Sequence, residues 1–157
     1  MSDDLLDHIP ALRAYARSLC GNKADADDLV QETLVRAIEY VGSYRDGTNM
    51  RAWLFTIMRN RFFTNARKRA RENTGAAECV SHLPNQSPQQ EWHVAGKELA
   101  QAVEELPVHY REALVLVVVL GETYIDASRI LACDIGTIKS RVNRARSKIK
   151  TALGEVG

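Results

Sequence analysis

The chain has 157 residues, 45% of them apolar and 26% charged, with a formal net charge of +1. That balance is globular and excludes a wholly disordered chain, while the longest apolar run, eight residues at 113–120, is far short of the about 18 that a membrane span needs. Residues 1–7 are acidic without a signal-peptide pattern, and the three cysteines, Cys20, Cys79 and Cys133, are too few and too scattered for a disulfide framework, so a cytoplasmic protein is expected.

Along the first seventy positions apolar residues recur three and four apart, the spacing of a helix with one buried side. Leu5, Ile9, Leu12, Ala16 and Leu19 predict one helix, ended by Gly21. Leu29, Thr33, Leu34, Ala37, Ile38 and Val41 predict a second, capped by Asn22 or Asp25. A break at 42–49, containing Asp46-Gly47, precedes a strongly basic third helix marked by Met50, Trp53, Leu54, Ile57, Met58 and Phe62. Residues 1–71 are read as one helical domain.

The periodicity fails at 72–90, where Asn73, Gly75, Ser81, Pro84, Asn85, Ser87 and Pro88 supply turn formers, and this stretch is expected to be a flexible linker. Residues 91–157 are read as a second domain. Val94, Leu99, Val103 and Leu106 predict a helix closed by Pro107. The run at 113–120 includes Val117-Val118-Val119, a triplet with strand propensity, yet no partner strand with turn chemistry is present, so a helix is expected. Gly121 then stops that helix, and Thr123, with Asp126 three residues on, caps a short one reaching about Cys133. Asp134 is placed to cap the last helix, whose inner stripe is Ile138, Val142, Ala145 and Ile149. Two short helices joined by a tight turn form a helix-turn-helix, and the fold class is all-α with two small helical domains.

The small net charge conceals strong segregation. Residues 1–35 hold seven acids against three basic residues, and 45–71 hold eight basic residues against one acid; then 72–135 hold ten acids against three basic residues, and 136–150 hold six basic residues and no acid. Two separated cationic segments point to two contacts with a polyanion.

On the last helix the inner stripe turns Lys139, Ser140, Asn143 and Arg144 outward together. Arg and Lys match guanine edges in the major groove, Asn matches adenine, and Ser donates or accepts. Thr137, Arg141 and Arg146 flank this set and suit phosphates, which fix register without reading sequence. The helix beginning at Met50 mixes Trp53, Phe55, Phe62 and Phe63 with Arg59, Asn60, Arg61, Asn65 and Arg67, a combination that neutralises a backbone and stacks on unpaired bases. Trp53 and Phe62 also fall on the apolar stripe and are assigned to the core, which leaves the preceding loop as the place for a base pocket. Asp28, Gln31 and Glu32 form an acidic face near the start of the second helix, where acids also favour the helix dipole. Cys20 and Cys133 are read as small buried residues, and Cys79, His82 and His93 lack paired-ligand spacing. With no phosphate loop, nucleophile–base arrangement or metal motif, neither an enzyme, a cofactor nor a small-molecule substrate is expected.

The segments Asp27-Asp28-Leu29-Val30-Gln31-Glu32-Thr33, Ala52-Trp53-Leu54-Phe55-Thr56-Ile57 and Gly136-Thr137-Ile138-Lys139-Ser140-Arg141, the last followed by Arg144-Ala145-Arg146, resemble extracytoplasmic-function sigma factors of RNA polymerase in order and spacing. Ile9-Pro10-Ala11-Leu12-Arg13, Gly47-Thr48-Asn49-Met50 and Val142-Asn143 are most similar to the EcfG-type general stress response subgroup. The resemblance implies that Asp28, Gln31 and Glu32 dock on the coiled coil of the polymerase β′ subunit, with further contact to the β subunit. It implies that the loop 44–50 and the helix after it engage the minus-ten promoter element through Tyr44, Asn49, Arg59, Asn60 and Arg67, with Asn49 at a flipped base. It implies that Lys139, Ser140, Asn143 and Arg144 read the minus-thirty-five element, with Thr137, Arg141 and Arg146 beside them, and that the linker passes through the polymerase active-site channel. Thr56 and Ile57 stand where housekeeping factors carry a pair of melting tryptophans, which implies a demand for a close promoter match. A small helical anti-sigma protein, released by a response-regulator mimic, is the expected inhibitor. A free-standing helix-turn-helix regulator would leave the first seventy residues unexplained. A sigma-like decoy that binds only an anti-sigma protein need not keep the outward set on the last helix.

Overall fold

The computed structural model describes residues 2–45, 48–72 and 94–154. Among them all regular structure is helical, and the helices fall into two compact units. The expected linker lies outside the described residues except for Glu72, the last residue of its helix, and so do Cys79, His82 and His93.

The first unit contains α1 (Ser2–Asp7), α2 (Ile9–Leu19), α3 (Lys23–Glu39), a 3₁₀ turn (Val41–Ser43) and α4 (Met50–Glu72). The single helix expected over Leu5 to Leu19 is two helices, broken at His8. Pro10 explains the break: it lacks an amide hydrogen and tolerates only the first turn of a helix, where it stands in α2. Asn22 caps α3, its Oδ1 accepting from the Asp25 amide at 2.8 Å while its Nδ2 donates to the Asp25 carboxylate at 2.9 Å.

Leu12, Tyr15, Ala16 and Leu19 of α2 pack with Ala26, Leu29, Val30 and Ala37 of α3 and Met50, Leu54, Phe55 and Met58 of α4. The Tyr15 and Phe55 rings, both without solvent exposure, meet edge to face with centroids 5.1 Å apart. Such a pair adds about 0.5–1.5 kcal/mol to the burial of its surfaces. Phe55 is therefore a core residue and not part of a base-stacking surface. Trp53 and Phe62, expected in the core, are only half-buried, and Ile38 and Val41 at the end of the second stripe are exposed. The buried Thr33 and Ser18 hydroxyls are satisfied within their own helices, Thr33 donating to the Leu29 carbonyl and Ser18 to that of Tyr15.

The second unit contains α5 (Val94–Glu104), α6 (Val108–Leu114), a π turn (Val115–Val119), α7 (Tyr124–Leu131) and α8 (Ile135–Ala152). Leu106, Leu114, Leu116, Ile130, Leu131, Ile138 and Val142 are among its core residues, whereas Leu99, expected on the inner stripe of α5, is exposed. Arg111 donates to the carbonyls of Glu104 and Leu106 at 3.0 and 2.9 Å, tying the end of α5 to α6. The valine run is helical but wider than an α-helix, its last bond running from the Leu120 amide to the Val115 carbonyl at 2.8 Å. Gly121 ends it with φ +75, a conformation that glycine adopts without a side-chain clash.

Thr123 caps α7 by accepting from the Asp126 amide at 3.0 Å. Asp134 stands at the N-cap of α8, but its side chain makes no capping bond, so that expectation is corrected. The start of α8 is instead held by its backbone, the Ile138 amide reaching the Asp134 carbonyl at 3.1 Å. Cys20 and Cys133 are half-buried rather than buried.

Candidate nucleic-acid interface

In the first unit the candidate interface begins in the loop ahead of α4. The Tyr44 hydroxyl donates to the Thr48 carbonyl at 2.8 Å, and the Thr48 hydroxyl donates to the Arg45 carbonyl at 2.7 Å. The Tyr44 ring lies 5.2 Å from the Trp53 ring, so a residue of the first turn of α4 braces the loop. Asn49 accepts from the Ala52 amide through Oδ1 at 3.1 Å and so caps α4.

Helical geometry turns Trp53, Arg59, Asn60, Phe63 and Arg67 away from the side buried by Leu54 and Met58. Asn60 and Arg67 are exposed, and the Arg59 guanidinium lies 4.8 Å from the centre of the Phe63 ring, which Phe62 meets edge to face. The face offers cations, Arg59 held against an aromatic ring and Arg67 exposed, which suits unpaired nucleic acid.

Arg61 and Asn65 lie on the other side, against α3. Both donate to one oxygen, Oε1 of Glu32, from Arg61 Nε at 2.9 Å and Asn65 Nδ2 at 3.0 Å. Burial disfavours the Glu32 carboxylate, but the hydrogen bonds from Asn65 and Arg61 and the charges of Arg61 and Arg36 outweigh it and hold the carboxyl below its ordinary value. The sequence carries a signal for this link: Leu54, Met58, Arg61 and Asn65 follow at spacings of four, three and four, so the buried stripe continues into polar residues. Asp28 and Gln31 are exposed, and with Glu32, Val35 and Arg61 they line a shallow groove along α3.

In the second unit α7, the turn at 132–134 and α8 make the helix-turn-helix. Ile138, Val142 and Ala145 are buried, which turns Lys139, Ser140, Asn143 and Arg144 to solvent together, with Arg146 also exposed and Thr137 and Arg141 half-buried at the flanks. Lys139 Nζ lies 5.6 Å from the centre of the Tyr124 ring, a neighbour the sequence pattern did not identify. Its signal was position, since Tyr124 is the first residue of α7 after the Thr123 cap.

Known proteins share this organisation. Residues 5–72 match the profile of Sigma-70 region 2 and residues 96–149 that of Sigma-70, region 4. The ECF RNA polymerase sigma factor EcfG of Rhodopseudomonas palustris is 48% identical over 98% of this chain and 84% of its own length. The chain belongs to the extracytoplasmic-function sigma factors. Within that family it is closely related to the EcfG subgroup. A second relative, SigE of Mycolicibacterium smegmatis, is 33% identical over 98% of this chain and 62% of its own. Among solved structures the sigma factor RpoE, crystallised with the anti-sigma factor NepR from Bartonella quintana, superposes with a TM-score of 0.84 at 40% identity, covering 97% of this chain and 95% of that one. This sigma factor is a non-catalytic initiation factor. Among its described residues no helix is long and apolar enough to cross a membrane.

Proposed function

We propose that this sigma factor docks on core RNA polymerase through the α3 face at Asp28, Gln31 and Glu32, engages the minus-ten element with the loop 44–50 and the outer face of α4, and reads the minus-thirty-five element with α8. One observation carries the proposal: the four side chains of α8 with base-reading chemistry, Lys139, Ser140, Asn143 and Arg144, are all exposed on one side of a helix whose opposite side is core. Thr137, Arg141 and Arg146 hold phosphates beside them. In the other unit Tyr44, Asn49, Arg59, Asn60 and Arg67 contact the minus-ten DNA, with the cationic and aromatic side of α4 stabilising the unpaired strand. The working boundaries are residues 1–71 for the first domain, 72–90 for the linker and 91–157 for the second domain.

The protein acts in the cytoplasm, where polymerase and promoters are, and serves a stress response. Its partners besides polymerase and promoter DNA include a small helical anti-sigma protein; that it has an anti-sigma partner is supported by the related sigma factor crystallised with the anti-sigma factor NepR. Run-off transcription with purified core polymerase on a pool of randomised promoters tests the whole scheme. Start sites that need the chain and share two spaced elements are the expected result. A chain that binds core polymerase yet starts no transcript would act as a decoy, and one that fails to bind core polymerase would be a free-standing DNA-binding regulator.

A further inference from the structure

Glu32 lies in the sequence beside Gln31 and one helical turn after Asp28, as though it belonged to the same outward face. The structure gives it a different setting. Its Oε1 is the meeting point of two donors from α4, which stand 29 and 33 residues away along the chain and one turn apart on their helix. Arg61 meets it through Nε, so the guanidinium is held from its inner nitrogen. Both donors extend the stripe by which α4 packs on the rest of the unit, whereas Arg59, Asn60 and Arg67 point the other way. Two hydrogen bonds converging on one atom add directional constraints on position and rotation to those of the apolar packing.

We propose that Glu32 is a positioning residue that sets the register of α4 on α3 through Arg61 and Asn65, so that the polymerase-facing and promoter-facing sides of this unit hold one fixed relation. It acts on initiation through α4 and not through a direct polymerase contact, which narrows the docking set to Asp28 and Gln31. Arg61 and Asn65 are correspondingly members of this link and not of the DNA-binding set. The inference rests on the reading of Asp28 and Gln31 as the docking face and of the outer side of α4 as the promoter face.

The test combines the single variants Glu32→Ala and Arg61→Ala, the double variant and Glu32→Gln in the full chain. Core-polymerase affinity is measured by competition, and open-complex formation by permanganate reactivity of unpaired thymines, on a duplex promoter and on the same promoter with a pre-opened bubble. The two single variants should reduce opening of the duplex by the same factor, roughly threefold to tenfold, with the double variant no worse than either. The loss should shrink on the pre-opened template. Any change in core affinity should be equal in the two single variants, because neither residue touches polymerase. Glu32→Gln, which keeps the Oε1 acceptor for both donors, should restore most of the opening; a general loss of fold would depress both templates alike and gain nothing from this acceptor.

Weakened core binding in Glu32→Ala with wild-type binding in Arg61→Ala would overturn the proposal in favour of direct contact, as would losses that simply multiply in the double variant. Asp28→Ala combined with Gln31→Ala separates the underlying reading. If that pair lowers core affinity while the Glu32 and Arg61 effects multiply, the positioning role alone fails. If it leaves core affinity unchanged, the docking face is wrong and the proposal fails with it.

Discussion

Asn49 accepts a hydrogen bond from the Ala52 amide at 3.1 Å, so the side chain proposed to face a promoter base also caps the helix that carries Arg59, Asn60 and Arg67 of the minus-ten set. The two roles use different atoms. Capping needs an oxygen acceptor, which Asp also supplies, whereas recognition through an amide donor needs Asn. Asn49→Asp should therefore keep its stability in chemical denaturation but lose promoter selectivity, while Asn49→Ala should lose selectivity and about 1 kcal/mol of stability. Retained selectivity in Asn49→Asp would leave the cap as the residue's whole role.

Arg144 and Arg146 are both exposed on α8, but they are assigned to different targets. Arg144→Ala should cost about 1–3 kcal/mol at the minus-thirty-five element and relax preference at one base pair. Arg146→Ala should weaken all sequences alike and lower the salt dependence by about one phosphate contact. Transcription from promoters randomised at the upstream element, repeated at several salt concentrations, distinguishes the two patterns; uniform loss in Arg144→Ala would remove its base-reading role.

Ala132, in the turn between α7 and α8, has φ 55, a left-handed conformation that costs a residue with a side chain about 1–2 kcal/mol. Glycine avoids that cost but adds freedom to the unfolded chain. Ala132→Gly should raise stability by about 1 kcal/mol in denaturant titration, with the minus-thirty-five preference unaltered. A fall in stability would show that the turn carries no such strain.

The Glu32 carboxyl is held below its ordinary value of 4.5, so its ionised form is favoured in the folded state relative to the unfolded one. The resulting stability is present above pH 4.5 and is lost as the pH falls through the lower folded value. Because the side chain is 41% exposed, the contribution is under about 1 kcal/mol. The stability difference between wild type and Glu32→Gln should be constant from neutral pH down to that region and shrink below it. A difference that grows on acidification would contradict this sign.

The helices and most of their inner faces were legible because 3.6-residue periodicity survives in a single sequence: Ile138, Val142 and Ala145 are buried where their spacing put them, and the outward set on α8 followed from it. Caps built from one side chain and one nearby amide, as at Asn22 and Thr123, were legible for the same local reason. What escaped was set by packing between helices. Phe55 belongs to the core because Tyr15 of another helix meets it, and Ile38 lies exposed near the end of α3 although it falls on the apolar stripe. The Glu32 link escaped because spacing along α3 cannot show which residues of α4 lie opposite. Asp134 has the right type and position for a cap, yet its rotamer does not make the bond.

The i to i+5 bond from Leu120 to Val115 spends one more residue per turn than an α-helix would. The valine run therefore contains one residue more than an α-helical turn needs, absorbed by the helix. Deleting a single valine there would bring the run back to ordinary α-helical pitch without pulling α7 out of step. The wide turn is thus a place in this unit where the chain can lose a residue at small structural cost.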